Sequence, residues 1–174
     1  MKKVLILSGS PRKGGNSDTL CDRFMQGALD AGHQVEKIFV SGKNISPCRA
    51  CYYCRSHQGA CSIQDDMAEV LQKMIDTDVL VLSSPVYFYS VSAQLKAVID
   101  RTVARWLEVH YIMTAAEDSA DVMDATLGCL RGYADCVQGA REMGVIYGKG
   151  VYERGEILDK PQMQQAYDMG RSIR

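Results

Sequence analysis

The stretch VLILSGSPRKGGNS, residues 4–17, decides the fold of this chain. Its four leading apolar residues are typical of a short strand buried on both faces of a parallel sheet. We expect Asn16 or Ser17 to cap a helix that runs to about Ala31 and stops at Gly32. A strand, a tight loop and a helix N-terminus predict an anion site, because unpaired backbone N–H groups and the positive end of the helix dipole face the loop.

The side chains of this loop favour a phosphate as the anion. They add hydroxyl, amide and guanidinium donors from Ser10, Ser17, Asn16 and Arg12. The G-x-G-x-x-G pattern of dinucleotide sites is missing, and Gly15-Asn16 stands where a nucleoside triphosphatase loop has Lys-Ser. We therefore expect a terminal phosphomonoester, as in a mononucleotide, and keep an ordinary polar turn as the alternative.

The rest of the chain alternates strands with helices. Apolar patterns predict further strands at 34–40, 78–83, 110–114 and 144–147, and helices at 67–75, 92–106, 122–137 and after 159. This alternation indicates an α/β fold with a parallel sheet covered by helices on both faces. We expect one domain over residues 1–174, with no internal repeat and a cysteine-rich insertion at about 43–64.

Several polar residues are expected to mark helix ends or surfaces. Asp65 and Asp159 are predicted helix caps, and Ser92 is the predicted start of the helix that carries Trp106 near its end. The pair Asp100-Arg101 is interpreted as a helix-surface or subunit-contact pair.

Charge and cysteine content limit the partners and the compartment. The net charge is −1 with no basic run, so neither a nucleic acid nor an anionic membrane has electrostatic support as a partner. We find no apolar stretch of membrane-spanning length and no secretory signal pattern. Seven cysteines in such a chain favour reduced thiols or metal ligands over disulfides, and we expect a cytoplasmic protein.

Four of these cysteines lie close together in the insertion. Cys48, Cys51, Cys54 and Cys61 follow the pattern C-x2-C-x2-C-x6-C. The first three have the ferredoxin spacing for a 4Fe–4S cluster, and Cys61 is the candidate fourth ligand. Zinc and the absence of any metal remain alternatives. The other cysteines are interpreted as small core residues on helices.

The loop after the third predicted strand, residues 84–90, is rich in aromatic residues. Ligands of such sheets lie outside the carboxyl ends of the strands, where this loop meets residues 9–17. Pro85 presets the turn, and backbone groups of a turn can bond the edge of a planar heterocycle while an aromatic ring covers its face. Core packing beneath a loop is the alternative for the three aromatics, Tyr87, Phe88 and Tyr89.

Three stretches together resemble a known family: GSPRKGGNS at 9–17, the cysteine segment ending in Asp65-Asp66-Met67, and PVYFYSVSAQLKAVIDR at 85–101. They resemble the flavodoxin-like FMN proteins, and in particular the NAD(P)H-dependent FMN reductase and iron–sulfur flavoprotein branch. The resemblance implies a doubly wound five-stranded sheet of order 2-1-3-4-5, bound FMN, and a homodimer or homotetramer with the flavin near a subunit interface. Matched by position, it implies an FMN phosphate held by Ser10, Arg12, Asn16 and Ser17, and an isoalloxazine ring lying along Pro85, Val86, Tyr87 and Phe88.

The resemblance also implies an activity. An oxidoreductase of this type takes a hydride from NAD(P)H at the flavin and passes electrons to a 4Fe–4S cluster and then to a protein or small-molecule acceptor. Because this chemistry belongs to the flavin, no catalytic side chain is expected. Two alternatives remain: a cluster-free NAD(P)H-dependent FMN or quinone reductase, and a flavodoxin-type electron carrier.

Overall fold

The strands form a single five-stranded parallel sheet in the part of the chain that the computed structural model describes, residues 1–102, 108–137 and 139–174. The strands are β1 Lys3–Ser8, β2 Gln34–Phe39, β3 Val79–Pro85, β4 Glu108–Thr114 and β5 Arg141–Gly148. Their order is β2-β1-β3-β4-β5, and every neighbouring pair is parallel. The predicted flavodoxin-like α/β topology is therefore confirmed.

Helices follow the strands along the chain. They are α1 Asn16–Asp30, α2 Tyr53–Ser56, α3 Met67–Ile75, α4 Ala93–Ile99, α5 Asp121–Asp135 and α6 Gln162–Arg171. A 3-10 turn, Val40–Gly42, precedes the cysteine-rich insertion at 43–64, and the insertion itself contains the single turn of α2. Within the described residues, no helix combines the length and the apolar character needed to cross a membrane.

The core consists of two apolar layers, one on each face of the sheet. Along β1, Val4 and Ile6 pack toward α1 and α6, whereas Leu5 and Leu7 pack toward α3, α4 and α5. Successive side chains of a strand point to opposite faces, so a strand that is apolar at every position supplies both layers. The central strand β3 is buried in the same way from Val79 to Ser84. This arrangement leaves the carboxyl ends of the strands available to carry a site.

The helix starts agree only in part with the sequence. Ser92 caps α4 as predicted, and its hydroxyl accepts the Leu95 N–H at 3.3 Å. Two other expected caps are wrong: α1 has Gly15 at its N-cap, and α6 begins after Pro161 rather than Asp159. Asp66 directly precedes α3, but the capping hydrogen bond comes from Asp65, as predicted: its carboxylate accepts the Met67 N–H at 3.1 Å. Several residues near a helix start can cap it, and tertiary contacts decide which one does.

The end of α4 also differs from the prediction. The predicted helix extended to Trp106, but α4 ends at Ile99. Trp106 itself is among residues 103–107, which lie outside the described residues. Arg101, expected at a surface, is instead buried. The interpretation of Asp100-Arg101 as a surface pair is wrong for the arginine, because its partner is a distant carboxylate described below.

Candidate functional site

A cavity opens at the carboxyl ends of the strands, between the loops that follow β1, β3, β4 and β5. Its lining consists of Ser10, Arg12, Gly15, Asn16, Ser17, Pro85, Val86, Tyr87, Thr114, Ala115, Ala116, Val151, Tyr152 and Arg154. Seven of the eight residues predicted to contact the flavin are in this lining. The eighth, Phe88, is fully exposed and lies outside it. The structure thus brings the two predicted loops together where a doubly wound sheet binds ligands.

The phosphate loop, residues 9–17, is folded tightly on itself. The Ser10 hydroxyl donates to the Arg12 carbonyl at 2.9 Å and accepts the Arg12 N–H at 3.1 Å, and the Gly15 N–H donates to the same carbonyl at 2.9 Å. No side chain of the described residues caps the N-terminus of α1. The first N–H groups of a helix lack intrahelical acceptors, so here they face the cavity and suit an anion. This arrangement fits the phosphate of FMN.

Beneath the loop lies a buried carboxylate to which no sequence motif points. Asp18 accepts the Ser8 hydroxyl and the Gly14 N–H, both at 2.8 Å, and pairs with the Lys37 ammonium at 2.9 Å. Burial by itself would raise the pKa of Asp18, but the Gly14 N–H, Lys37 and Ser8 outweigh it, so the pKa is lowered. Asp18 therefore fixes Gly14, and Lys37 balances its charge beneath the anion site.

The Asn16 side chain binds another part of the chain, the 151–158 loop. Its Nδ2 donates to the Glu153 carbonyl at 2.9 Å, and its Oδ1 accepts the N–H groups of Gly155 at 3.2 Å and Ile157 at 3.4 Å. Asn16 can therefore serve a bound anion through its backbone N–H, while its amide docks the 151–158 loop against the helix start.

Two guanidinium groups lie at the edge of the cavity. Arg12 Nη1 donates to the Tyr152 carbonyl at 3.4 Å, and Arg154 Nε donates to the Gly14 carbonyl at 3.1 Å. Arg154 and the wall formed by residues 114–116 and 151–152 were not predicted. Neither stretch carries a recognisable motif, so only the fold shows that they reach the site.

The turn after β3 projects aromatic residues at the mouth of the cavity. Tyr87 and Ser90 exchange two backbone hydrogen bonds of 3.0 Å, and Val86 N–H donates to the Thr114 carbonyl at 2.7 Å. Phe88 and Tyr89 both have positive φ, 49° and 59°, the pattern of a type I′ turn that normally favours Gly or Asn. Such strain is often found at ligand sites. It places Tyr87 at the cavity and Phe88 in solvent.

The cysteine segment, residues 43–64, is closed at its base by two hydrogen bonds. Asp66 N–H donates to the Asn44 carbonyl at 3.1 Å, and Asn44 N–H donates to an Asp66 carboxylate oxygen at 2.7 Å. The four predicted ligands are free thiols: Cys48 and Cys51 are exposed, and Cys54 and Cys61 are half-buried. Among the described residues, which include all four, no three Cys, His, Asp or Glu side chains are gathered to hold a metal ion. The donor types suit an iron–sulfur cluster, but this arrangement of them does not.

One buried ion pair, Arg101 with Asp65, anchors the cysteine segment to the end of α4. The guanidinium nitrogens Nη1 and Nη2 donate to the carboxylate at 2.6 and 2.9 Å. The same guanidinium donates to the Ser46 carbonyl at 3.0 Å and to the Cys61 sulfur at 3.4 Å. The hydrogen bonds from Arg101 lower the pKa of Asp65 to about 2. The pair therefore contacts both ends of the segment.

Comparison with known proteins places these features in a family. The sequence model of the NADPH-dependent FMN reductases matches residues 2–158. An iron–sulfur flavoprotein of Methanosarcina thermophila is 40% identical over 101 residues, which are 58% of this chain and 52% of that protein. An iron–sulfur flavoprotein of Methanocaldococcus jannaschii is 42% identical over 100 residues, 58% of this chain and 51% of the relative. The match thus spans about half the length of these curated relatives.

Solved structures share the fold. An azoreductase from Bacillus anthracis superposes with a TM-score of 0.75 at 13% identity, covering 99% of this chain and 100% of that one. An NAD(P)H:quinone oxidoreductase from Methanothermobacter marburgensis gives a TM-score of 0.74 at 16% identity, covering 98% and 94%. At these identities the likeness supports the fold alone. Together with the family match over residues 2–158, it leads to one conclusion: the chain belongs to the NADPH-dependent FMN reductase family.

Proposed function

We propose that this protein is an FMN-dependent oxidoreductase that uses NAD(P)H. The observation that carries the proposal is the cavity at the carboxyl ends of β1 and β3, where the uncapped start of α1 meets the turn carrying Tyr87. An anion cradle beside a wall of apolar and aromatic groups is what a flavin mononucleotide requires. Membership of the FMN reductase family supports the same cofactor.

The residues of this chain have separate tasks in that proposal. The phosphate is bound by the backbone N–H groups at Asn16 and Ser17 and by the side chains of Ser17 and Arg12. The Ser10 hydroxyl joins them when it turns away from the Arg12 carbonyl, to which it donates in this structure. Pro85, Val86 and Tyr87 position the ring, opposite the wall at residues 114–116. Bound FMN supplies a hydride acceptor, so the chain itself needs to bind and orient the reactants.

His110, in β4, is buried, and burial lowers its pKa to about 4, so it remains neutral near pH 7.

We further propose that Cys48, Cys51, Cys54 and Cys61 bind a 4Fe–4S cluster. Their spacing, their state as free thiols and the iron–sulfur names of the relatives support this. The Ser62 hydroxyl, 3.2 Å from the Cys51 sulfur, lowers the pKa of that thiol, which favours the thiolate that a metal needs. Because the four thiols are not gathered in this structure, binding would require the segment to rearrange, and we assign no electron-transfer step to it.

A cluster-free NAD(P)H-dependent FMN or quinone reductase is the second candidate. The separated thiols favour it, since a cavity and a phosphate loop suffice for that activity. A homodimer or homotetramer, a protein or small-molecule electron acceptor and a cytoplasmic location also stay predictions. Adding NADPH or NADH to anaerobic, FMN-loaded protein tests the activity: a reductase loses its flavin absorption, whereas a flavodoxin-type carrier keeps it.

The phosphate site is tested by Ser17→Glu. The new carboxylate would face a phosphate carrying about −1.5 to −2 charges. Losing a hydrogen bond to a charged group costs about 1.5–3 kcal/mol, and repulsion adds to this, so FMN affinity should fall more than tenfold. Titration with FMN, followed by flavin fluorescence, measures the change. Ser172→Glu, which adds the same charge at the end of α6, is the control and should bind FMN normally. Unchanged FMN affinity in Ser17→Glu would contradict this phosphate site.

The cluster is tested by Cys54→Ser in anaerobically purified protein. A hydroxyl is a poor substitute for the soft thiolate that iron–sulfur centres prefer, so the variant should lose iron, sulfide and the brown absorption. FMN should remain bound, because the cavity does not include the cysteine segment. Cys129→Ser, on α5 outside the segment, should leave the iron content unchanged. Wild-type protein without iron or sulfide would refute the cluster and favour the second candidate.

A further inference from the structure

Arg154 stands against the phosphate loop although it lies 140 residues away in sequence from its hydrogen-bond partner, Gly14. Its Nε donates to the Gly14 carbonyl at 3.1 Å, and its side chain lines the same cavity as Ser10, Arg12 and Ser17. Gly14 has a φ of +69°, and a Cβ built on it would lie 2.6 Å from Arg154 Nη2. The guanidinium therefore occupies the space that a side chain at position 14 would fill.

The position of Arg154 is held by the docking of its loop. The Asn16 amide binds the backbone at Glu153, Gly155 and Ile157, on both sides of Arg154. Farther back, the Val151 N–H donates to the Ala115 carbonyl at 3.0 Å. Because the 151–158 loop is anchored on both sides of Arg154, its backbone is held in one position. The Arg154 guanidinium therefore lies at the mouth of the phosphate loop.

The charges around Arg154 leave it available for an anion. In the described part of the chain, no carboxylate forms an ion pair with Arg154 or Arg12. Two acidic groups of the same loops have other partners: Asp18 is paired with Lys37, and Glu156 accepts the N–H groups at 152 and 153. The mouth of the loop thus carries two guanidinium groups beside a helix N-terminus, and a phosphate dianion would balance them.

We propose that Arg154 is a second phosphate-binding guanidinium of the flavin site, supplied by the 151–158 loop. The inference rests on the proposed function, because the anion it assigns to Arg154 is the phosphate of FMN. Arg154 then helps the site to select FMN over riboflavin, which has the same ring system and no phosphate. Arg154 would contact both the phosphate loop and the bound FMN, so FMN binding would also stabilise the docked position of the 151–158 loop.

The test compares FMN and riboflavin binding to wild type, Arg154→Ala and Arg154→Lys. Arg154→Ala should raise the dissociation constant for FMN about tenfold, which corresponds to about 1.4 kcal/mol, and leave that for riboflavin within about twofold. Arg154→Lys should recover part of the loss, because an ammonium keeps the charge but not the fork of donors. Arg174→Ala, which removes an exposed arginine at the far end of the sheet, is the control and should bind both ligands as wild type does.

Each outcome decides one question. A loss restricted to FMN supports the assignment. Unchanged FMN affinity in Arg154→Ala overturns it, and so does an equal loss of FMN and riboflavin, which would indicate that the residue only shapes the cavity. If Arg154→Ala does not fold, the same comparison is made with Arg154→Lys: its FMN affinity relative to its riboflavin affinity decides the question. Wild-type protein that binds neither ligand would instead refute the proposed function itself.

Discussion

At the scale of single residues, a contact between near neighbours in the sequence could be predicted, whereas contacts between residues far apart in the chain could not. Ser92 caps its helix through Leu95, three residues away, and the prediction from local pattern is confirmed. Arg101 pairs with Asp65, 36 residues away, and Arg154 reaches Gly14, 140 residues away. Sequence neighbours carry no signal for such contacts, because the fold alone decides which distant side chains meet.

The Arg101–Asp65 pair leads to a pH-dependent prediction. Arg101 lowers the pKa of Asp65 from 3.8 to about 2, so the ionised carboxylate stabilises the folded state above pH 4, and this contribution is lost as the pH falls toward 2. Asp65→Asn should therefore lower the free energy of unfolding by about 2 kcal/mol at pH 7, and the gap to wild type should narrow below pH 4. Urea unfolding at pH 7 and pH 3 measures both.

Glu69→Gln provides the matched control for this pair. Glu69 is an exposed carboxylate on α3 that pairs with Lys43 and Lys73, and exposed pairs contribute only about 0–1 kcal/mol. The free energy of unfolding of Glu69→Gln should therefore differ little from that of wild type at both pH 7 and pH 3. A gap between Asp65→Asn and wild type that does not change with pH would contradict the role given to the ion pair.

At the scale of elements, apolar periodicity predicted the strands and the longer helices, but not how closely the elements approach. The backbones of α1 and α6 touch at two glycines, where a Cβ on Gly27 would lie 2.0 Å from the Tyr167 carbonyl oxygen and one on Gly170 would lie 2.1 Å from the Phe24 carbonyl oxygen. The sequence shows only a glycine inside each helix, which is as consistent with an exposed position as with a contact.

Gly27→Ala should separate α1 from α6. The neighbouring atoms are backbone and cannot turn aside, so the free energy of unfolding should fall by about 1–3 kcal/mol or more. Gly128→Ala in α5 is the matched control: a Cβ added there would have nothing within 4 Å, and alanine in a helix is favoured over glycine by about 0.5–1 kcal/mol. Thermal unfolding of both variants should give shifts of opposite sign. Shifts of the same sign would contradict the close approach of the two helices.

At the scale of the whole molecule, alternating strands and helices predict a parallel sheet, but they do not give the order of the strands. That order came from resemblance to a family and is confirmed. The site followed from it, because the order brings the loops after β1 and β3 together. The loops after β4 and β5 complete the cavity without any motif, so their part could not be predicted. The single domain and the oligomer stay predictions from sequence.

The predicted homodimer or homotetramer is supported by the surface around the cavity mouth. Phe88 is fully exposed there, and Tyr89 and Tyr152 are each more than 60% exposed. Large apolar side chains exposed beside a ligand cavity are typical of interaction sites, and burial of Phe88 would offset the strain of its positive φ. Sedimentation equilibrium at micromolar concentration should give a mass of at least twice the 19.2 kDa chain.

Phe88→Glu should shift this oligomer toward the monomer, because it would place a charge where apolar surface is expected to be buried. Ile75→Glu replaces another exposed apolar residue, at the end of α3 and at the opposite end of the strands from the cavity, and should leave the mass unchanged. A wild-type species of 19.2 kDa alone would rule out the oligomer. If Ile75→Glu dissociates the oligomer and Phe88→Glu does not, the contact does not lie at the cavity mouth.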